Sequence, residues 1–301
     1  MRFDFFRIAA YILLIDMAFL FLYPFLYMVI TSIKSSKDLN DFTVNWIPSR
    51  IEFKNYIVAF KLMSYGTYFK NSFFVTCIAT IGHLLSCSFV GYGLARYNFK
   101  GKNILFALVI LNLIIPIQTI LVPQYMIFSN LKWLDTYLPI LFPTFLGYGL
   151  KGSLFIFIFR QFYLSLPNAL EEAAEIDGCS FFRVYWNIIL PVAKAPLLVT
   201  LVLSIVWHWS DFYEPTIYAT LPKLSMLPSR INRITALVNV KEEDLINMVG
   251  VSQFINEEGE SIITNAVLMA GTFMVVLPVI IVFSFLQKRF MQGIERTGIV
   301  E

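Results

Sequence analysis

Charged residues are scarce in this sequence, and so are cysteine and histidine. Asp, Glu, Lys and Arg make up 14% of the 301 residues, whereas soluble domains usually contain about 25%. The formal net charge of +3 is too small to indicate nucleic-acid binding. The three cysteines (Cys77, Cys87 and Cys179) have no CxxC or Cys/His ligand spacing, so the sequence supports neither a disulfide framework nor a metal site.

Motifs for nucleotide binding and catalysis are also missing. No G-x4-G-K-[ST] sequence occurs, since Gly101-Lys102 lacks both the first glycine and the Ser or Thr. His83 and His208 are isolated in the sequence, and we expect them to be packed or hydrogen-bonded rather than catalytic. Because no acid–base or metal cluster is evident, a membrane enzyme is disfavoured. We predict no catalytic residue and no cofactor on this chain.

The chain is instead rich in apolar residues, which account for 58% of it. A membrane-spanning helix needs about 20 mainly apolar residues. The apolar runs are long and unalternating, which favours helices over strands because lipid requires an internally satisfied backbone. We predict an all-α integral membrane protein with one domain at 1–301 and a core at 71–290. The six predicted transmembrane helices cover approximately 8–31, 71–95, 103–128, 137–163, 196–219 and 264–287.

Positive charges near the helix ends predict the orientation in the membrane. An even number of spans puts both termini on one side, and the turn from Arg96 to Lys102 on that side packs three cations into seven residues. We therefore expect both termini and the polar segment at 164–195 in the cytoplasm. The long loop at 220–263 is then external. Its charged centre at Lys241–Asp244 is either a landing surface for a binding protein or an insertion without contacts.

The polar segment at 164–195 has the pattern of two short helices. Pro167 separates it from the fourth span, residues 168–177 have helical spacing, and Gly178 supplies a left-handed stop. The first helix has small apolar residues on one face and acidic residues on the other. The apolar set is Ala169, Leu170, Ala173 and Ala174, and the acidic set is Glu171, Glu172 and Glu175.

Single residues predict how the first of these helices ends and where the second one runs. Asp177 lies near the negative end of the first helix, where a carboxylate is disfavoured, so we expect a donor for it from nearby backbone or Arg183. Ser180 can cap the second helix, and Pro191 and Pro196 are expected to end it. By composition alone, the segment would be a solvated connector whose acids keep it out of lipid.

One spacing in this segment resembles a known family. Glu172-Ala173-Ala174, Gly178 and Ile188-x-Leu190-Pro191 follow the pattern EAA-x3-G-x9-I-x-LP, which resembles the EAA loop of bacterial ABC importer permeases. Other segments resemble the sugar-importer branch, which includes the smaller subunit of the maltose permease. They are Phe155 to Phe162 with Arg160-Gln161, Trp209-Ser210-Asp211-Phe212, Pro116-x-Gln118-x4-Pro123 and Gln292-Gly293. The resemblance covers nearly the whole chain in order.

The resemblance implies a type I ABC importer permease in the bacterial inner membrane, with a cytoplasmic coupling helix between spans 4 and 5. In this family, two homologous permeases assemble with a dimer of ATPases, which bind ATP and Mg. An extracellular solute-binding protein delivers the sugar. Carried onto this sequence, the coupling residues are Glu171, Glu172, Ala173, Ala174, Asp177, Gly178, Ile188, Leu190 and Pro191.

Polar side chains and prolines within the predicted spans are candidates for a translocation pathway. The set comprises Pro116, Gln118, Pro123, Tyr125, Trp209 and Asp211, with Asp16, Lys151, His208 and Glu214 as further polar groups. Asp211 and Glu214 lie near the end of a predicted span, so the simpler reading is that water or loop contacts satisfy them. The aromatic residues are also typical membrane-interface anchors. Pro116 and Pro123 indicate either an ordinary kink or a gate-like bend.

Three functional classes remain after this reading. The first is a permease subunit for an oligosaccharide or disaccharide importer, and the second keeps this architecture but carries a peptide, a polyamine or another small solute. The third is an ion-coupled secondary transporter, which would favour paired half-domains or helices broken at the midplane. Six spans without an evident internal repeat, together with the EAA spacing, argue against the third class.

Overall fold

The computed structural model of the protein describes residues 5–41, 43–44, 46–240 and 262–298. These residues form helices and turns, and no strand occurs among them. The chain divides into two compact units. Unit 1 comprises Met1–Thr67 and Arg230–Pro278, and unit 2 comprises Tyr68–Ser229 and Val279–Glu301.

Fourteen helices can be distinguished within the described ranges, apart from a single 3-10 turn at Pro222–Leu224. They are α1 (Phe5–Ser32), α2 (Ser36–Asn40), α3 (Lys54–Met63), α4 (Tyr65–Arg96), α5 (Lys102–Ile114), α6 (Ile117–Asn130), α7 (Leu138–Phe145), α8 (Gly152–Ser165), α9 (Ala169–Ile176), α10 (Phe181–Val192), α11 (Lys194–Ser210), α12 (Tyr213–Tyr218), α13 (Leu227–Val238) and α14 (Asn265–Gly298).

Three of these helices are long and apolar enough to cross a membrane, namely α1, α4 and the part of α14 up to Met291. Two pairs of helices pass the same test together but are bent at a short break, by 108° between α5 and α6 and by 77° between α10 and α11. Length and composition therefore give three to five spans in the described part of the chain. The predicted number of six remains a prediction.

Three of the predicted spans are not continuous helices, and the one at 196–219 breaks between α11 and α12. The predicted span at 103–128 breaks at Ile115, which is extended with ψ 124°, because the proline that follows disfavours helical backbone at the preceding residue. The predicted span at 137–163 breaks between α7 and α8. Gly147, Gly149 and Lys151 have positive φ there, which a right-handed helix does not allow.

The two long predicted loops also contain helices. The segment at 34–70 includes α2, α3 and the first residues of α4, and the segment at 220–263 includes α13. The sequence of α13 carries Arg230 and Arg233 on a weakly apolar background, so it lacks the long apolar run that identified the other helices. The predicted landing surface at Lys241–Asp244 lies outside the described residues.

Unit 1 packs its helices through small residues. A Cβ on Gly271 of α14 would be 3.0 Å from Ile234 Cδ1 and 3.1 Å from Met63 Sδ, so the missing side chain allows close contact with α13 and α3. The side-chain amide of Asn55 donates to the carbonyls of Ser32 and Lys34, at 3.0 and 2.9 Å, and thereby fixes the end of α1. Most of α1 exposes apolar side chains, as expected of a helix that lipid or a partner covers.

The core of unit 2 lies where α4, α8 and α10 meet. Tyr92, Phe159, Tyr163 and Tyr185 are fully buried there. A Cβ on Gly91 of α4 would be only 2.7 Å from Phe159 Cβ and 3.1 Å from the backbone nitrogen of Arg160. Glycine at this position therefore allows the backbones of α4 and α8 to approach each other closely.

Candidate functional site

The segment predicted as two short helices forms α9 and α10, which are joined by a glycine turn. Gly178 has φ +76°, its N–H donates to the carbonyl of Glu175 at 3.0 Å, and the N–H of Cys179 donates to the carbonyl of Ala174 at 3.0 Å. These two bonds form a Schellman motif, in which a left-handed residue satisfies the last carbonyls of a helix. The predicted left-handed stop at Gly178 is confirmed.

The second helix, α10, contains one wide turn at Tyr185–Ile189, where the N–H of Leu190 donates to the carbonyl of Tyr185. Pro191 follows directly, and its ring would clash with the carbonyl four residues earlier in a regular helix. A wide turn relieves this conflict. The helix ends at Val192, between Pro191 and Pro196, as the two prolines predicted. Pro196 lies in the first turn of α11, where proline is well tolerated.

Two expected side-chain contacts in this segment are not found. Ser180 occupies the N-cap position of α10 with extended backbone, but its side chain makes no capping bond. Asp177 is exposed, and among the described residues neither Arg183 nor a backbone group donates to its carboxylate. Solvent is sufficient for this carboxylate because it points away from the protein core.

Arg96, at the end of α4, connects that helix to the start of α9. One guanidinium nitrogen donates to Asn168 Oδ1 and another to the carbonyl of Leu166, both at 2.7 Å. The Nε atom lies 3.2 Å from Glu171 Oε1 and forms an ion pair, and the side chains of Arg96 and Glu171 are 8% and 16% exposed. Glu171 is therefore not a purely solvated acid. No pattern in the sequence indicates this contact, because the two residues lie far apart in the chain.

Aromatic side chains attach α10 to the same region. Tyr185 Oη donates to Ser88 Oγ at 3.0 Å, and Ser88 Oγ and Tyr163 Oη are 2.6 Å apart. One serine on α4 thus joins α8 to α10. The ring of Tyr92 stacks on Phe181 with centroids 5.7 Å apart. We call residues 164–195, together with these contacts, the connector.

The connector presents one side to solvent. On α9, Ala174 is buried, whereas Glu172, Ala173 and Ile176 are exposed, and Ile176 has 87% of its side chain accessible. On α10, Ile188 and Leu190 are half-buried and Pro191 is exposed. The predicted coupling residues therefore divide into a buried set that holds the connector and an exposed set that can meet a partner.

A second site in unit 2 is a cleft of about 340 Å³. Its walls come from the break between α5 and α6, the turn between α7 and α8, and α12. The polar side chains that line it are Asn112, Gln118, Gln124, Tyr148, Lys151, Ser153 and Glu214. Irregular backbone at membrane depth is tolerated where it lines a cavity, and both helix breaks do so here.

Only some of the predicted pathway residues line this cleft. Pro116 and Gln118 do so. Trp209 is buried against Phe69, with ring centroids 5.4 Å apart, and Asp211 accepts from the N–H of Tyr213 at 2.8 Å, a local contact as the simpler reading expected. Pro123 lies inside α6. Tyr125 is exposed on the same helix, and Asp16 is exposed on α1 in the other unit.

Lys151 and Glu214 are the charged residues of the cleft. Lys151 has φ +64°, and its ammonium nitrogen lies 5.9 Å from the centroid of the Trp207 ring. Glu214 is 7% exposed. Within the described residues, neither charge has an ion-pair partner within 4.0 Å. Glu214 lies in the wall of the cleft, so the reading that water or loop contacts satisfy it stays a prediction.

A pair of histidines supports the turn that forms one wall of the cleft. His83 Nε2 lies 3.1 Å from the carbonyl of Tyr148 and must carry a proton there, since a carbonyl only accepts. His83 Nδ1 is therefore an acceptor, and His208 Nε2 donates to it at 3.3 Å. The expectation of packed, hydrogen-bonded histidines is confirmed, although they are not isolated from each other.

Curated proteins of similar sequence are transport permeases. The chain is 29% identical to the arabinooligosaccharides transport system permease protein AraQ of Halalkalibacterium halodurans over 286 residues, which are 94% of this chain and 92% of that protein. It is 31% identical to the probable ABC transporter permease protein YurM of Bacillus subtilis over 275 residues, 90% of this chain and 81% of that protein.

A solved structure has the same fold. It is the crystal structure of a bacterial ABC transporter involved in the import of the acidic polysaccharide alginate, in which one chain matches with a TM-score of 0.79 at 23% identity. The match covers 96% of this chain and 98% of that one. At this identity the likeness shows a shared fold, that of a type I ABC importer permease.

The family description fits the helices, the connector and the cleft described above. Residues 88–296 match the family of binding-protein-dependent transport system inner membrane components, and this range includes the whole connector. These proteins are membrane transport components and not enzymes. The chain belongs to this family of multi-pass ABC importer permeases.

Proposed function

We propose that this chain is one of two permease subunits of an ATP-driven, binding-protein-dependent importer of an oligosaccharide or a disaccharide. The other permease forms the second half of the pathway, and an extracellular solute-binding protein delivers the sugar. The name of the arabinooligosaccharide permease supports a sugar as cargo. In this proposal ATP and Mg are bound by the partner ATPases, so this chain carries no cofactor.

The proposed topology has six spans in the bacterial inner membrane, with both termini and the connector in the cytoplasm. Three long apolar helices and two bent pairs supply five of these spans, and α7 with α8 supplies the sixth. The cations of the turn between α4 and α5, Arg96, Lys100 and Lys102, support the cytoplasmic assignment by the positive-inside rule.

Coupling to an ATPase is assigned to α9. The observation that carries this proposal is that α9 is held on one side by Arg96 through Asn168 and Glu171, while Ala173 and Ile176 face solvent. A helix held in this way transmits force as a rigid body. An exposed alanine allows a partner to approach closely, and an exposed isoleucine gains free energy from burial on docking.

In this mechanism, ATP-driven closure of the ATPase dimer displaces the connectors of both permeases. Arg96 and the Ser88–Tyr163–Tyr185 contacts pass the displacement to α4 and α8. The pathway between the two permeases then changes from inward-facing to outward-facing by rigid-body rotation. No chemical step takes place on this chain.

The test replaces Ile176 with Asp, because this side chain is 87% exposed and its loss should not disturb the fold. We expect the variant to reach the membrane in normal amounts, to retain less of the ATPase on purification and to lose most ATP-dependent uptake. The neighbouring variant Glu175→Gln, also at an exposed position, is the control and should behave like the wild type. Normal ATPase retention and uptake in the Ile176→Asp variant would contradict the docking role.

A cargo other than sugar, such as a peptide or polyamine, fits the same architecture. Competition of sugars, peptides and polyamines for the partner binding protein distinguishes these cargoes, because only the true class displaces the bound ligand. Uptake that follows an ion gradient and persists without ATP would instead indicate a secondary transporter.

A further inference from the structure

We propose that Asp16 of α1 forms an ion pair with a lysine or arginine on a membrane helix of the second permease, and that this pair fixes α1 against that subunit. The inference rests on the proposed function, which supplies the second permease, and adds to it a contact residue and the charge of its partner. In this role Asp16 holds the assembly together and does not contact the cargo.

The first observation is the depth of Asp16 in the membrane. It is the one charged residue of the sequence between Arg7 and Lys34, within a helix long and apolar enough to cross a membrane. Asp16 follows Arg7 by nine residues, which is about 14 Å along the helix at about 1.5 Å per residue. The hydrocarbon core of a bilayer is about 30 Å thick. With Arg7 at the cytoplasmic surface, as proposed above, Asp16 lies near the middle of the membrane.

The second observation is that the part of α1 around Asp16 is exposed on every side. All residues from 6 to 24 are exposed, and α1 packs on unit 1 near its other end. There Tyr23 contacts Trp46 with ring centroids 5.4 Å apart, and Phe25 contacts Phe273 at 6.1 Å. Among the described residues, no group donates a hydrogen bond to the Asp16 carboxylate and no cation lies within 4.0 Å of it. The chain therefore leaves this charge to be covered from outside.

Lipid is a poor cover for Asp16. Hydrocarbon supplies no hydrogen-bond donor, so charged groups at membrane depth are costly and usually face protein or a water-filled cavity, where they pair with other groups. Long lysine and arginine side chains reach the membrane surface from such positions, whereas the short side chain of an aspartate does not. No residue of α1 lines the cleft of unit 2. A protein partner is therefore the cover that fits this position.

The face of α1 around Asp16 suits contact with another membrane helix. Residues three, four and seven positions away share this face, namely Ala9, Ile12, Leu13, Phe19, Leu20 and Tyr23. The small side chain of Ala9 allows a neighbouring backbone to approach closely. The leucine, isoleucine and phenylalanine side chains are each more than half exposed, so they have area to bury. In the proposed importer, the second permease is the subunit that spans the bilayer beside this chain, so one of its helices is the partner.

The partner side chain is a cation because of what aspartate adds at this position. Asparagine would offer a similar shape and an accepting oxygen without a charge. An opposite charge in contact favours the ionised carboxylate and leaves the pair without net charge in the lipid. Arginine can donate two parallel hydrogen bonds to a carboxylate, and the lysine ammonium group has three donors. A neutral donor would leave the buried charge uncompensated.

The test uses the complete transporter, with its second permease, ATPases and binding protein, and a tag on this chain. Asp16→Leu removes no contact within the described residues and makes α1 more apolar, so this chain should reach the membrane in normal amounts. We expect the amount of second permease that co-purifies in detergent to fall about tenfold, the effect of one polar contact between membrane helices. ATP-dependent uptake should fall with it. Asp16→Asn should lose a similar amount, and Asp16→Glu, which keeps the charge, should stay close to the wild type.

An exchange of two residues within α1 is the matched control. Leu14→Asp combined with Asp16→Leu keeps the composition of the helix and nearly the depth of the carboxyl group, but turns it by about 200° around the helix axis. This variant should assemble as poorly as Asp16→Leu. Dicyclohexylcarbodiimide, which modifies protonated carboxyl groups in lipid, is added to membranes before extraction. It should modify the carboxyl group moved to position 14 and spare Asp16 in the wild type, as read by mass spectrometry of α1.

Substitutions in the second permease identify the cation. Each lysine and arginine within its spans is replaced with methionine, and one replacement should reproduce the loss of assembly. Exchange of that cation for aspartate should restore assembly with Asp16→Lys.

Normal co-purification with Asp16→Asn or with the exchanged variant would overturn the inference. So would modification of Asp16 in the wild type as fast as the group at position 14, or normal assembly after every replacement in the second permease. Sugar uptake by the wild type is measured in parallel. ATP-dependent uptake together with any of these results rejects the ion pair and leaves the proposed function intact. Absence of ATP-dependent sugar uptake would count against the proposed function, on which the inference rests.

Discussion

The connector and the cleft, both in unit 2, differ in how many partners their charged residues have. In the connector, Arg96 donates to Asn168 and the carbonyl of Leu166 and forms an ion pair with Glu171. In the cleft, the described contacts leave Lys151 and Glu214 without partners of opposite charge. Arg96, Glu171 and Glu214 are largely enclosed by protein, whereas Lys151 is exposed.

The difference indicates what each region is built to do. A buried charge with several partners fixes a structure, since removing one partner leaves the others unsatisfied. A buried charge without partners is a cost to the fold, and a ligand that supplies hydrogen bonds offsets that cost. We therefore interpret the connector as a mechanical element, whereas the enclosed carboxyl group of Glu214 is a cost to the stability of the fold.

The largest effect is expected from breaking the connector at Arg96. Arg96→Met removes a charge that contacts three groups and leaves Glu171 enclosed without its cation, which should destabilise the protein by about 3–5 kcal/mol. Thermal melting of the detergent-solubilised protein, followed by size-exclusion chromatography, measures the change. ATP-dependent uptake should fall with it.

The control for this variant is Lys100→Met, which removes an exposed cation four residues away. It should melt like the wild type, because an exposed side chain without a fixed partner contributes little to stability. If both variants lost the same stability, the loss would reflect local charge alone, and the comparison between connector and cleft would lose its basis.

A smaller effect is expected from the contact that brings α4 and α8 together beneath the connector. Gly91→Ala places a methyl group 2.7 Å from Phe159 Cβ and close to the α8 backbone, so α8 must move. Overpacking of this kind costs about 1–3 kcal/mol, partly offset by the helix preference of alanine over glycine, about 1 kcal/mol. Melting temperature and ATPase retention report the change.

Gly93→Ala, two residues along the same helix, is the matched control. A Cβ at Gly93 meets no atom within 4 Å, so only the gain in helix preference should remain, and the melting temperature should stay equal or rise slightly. A Gly91→Ala variant as stable as Gly93→Ala would show that close packing of α4 on α8 does not support the connector.

The sequence predicted the local features of both regions and missed the long-range ones. The glycine stop at Gly178 and the break before Pro116 follow from backbone preferences of one or two residues. The contact of Arg96 with Glu171 joins residues far apart in the chain, and His83 and His208 are 125 residues apart. Periodicity within a segment contains no information about such pairs.

The burial of Glu214 in the cleft is another long-range feature that the sequence did not predict. As part of a predicted continuous span at 196–219, it was expected near the span end in contact with water. The chain instead leaves the helix after Ser210, Asp211 caps the next turn, and α12 carries Glu214 into the cleft. Its burial depends on the breaks in α5–α6 and α7–α8, which are distant in sequence. Only the three-dimensional arrangement shows that this carboxylate is enclosed.

The smallest effect is expected at a third kind of charge, one that has partners but is only half-buried. Asp135 lies in the turn between α6 and α7, and its carboxylate accepts from the Thr220 hydroxyl at 2.7 Å and the Thr220 N–H at 2.9 Å. These bonds lower the pKa of Asp135 below its usual value, and the bond from the Thr220 hydroxyl has the largest effect. A lowered pKa stabilises the folded protein above the ordinary pKa of an aspartate, about 4, and this contribution is lost as the pH falls through the lower, folded-state value.

Asp135→Asn tests whether partners alone, without enclosure, make a charge structurally important. Asparagine tolerates the positive φ of this position and keeps one accepting oxygen, so only the charge is removed. We expect a decrease in melting temperature at pH 7 that is smaller than for Gly91→Ala, and a smaller difference from the wild type at pH 3.5, where the native aspartate is increasingly protonated. Solvent at Asp135 can replace lost hydrogen-bond partners, whereas the protein around Arg96 cannot. A decrease in melting temperature as large as that of Arg96→Met would therefore mean that hydrogen-bond partners, and not enclosure, determine the strength of the connector.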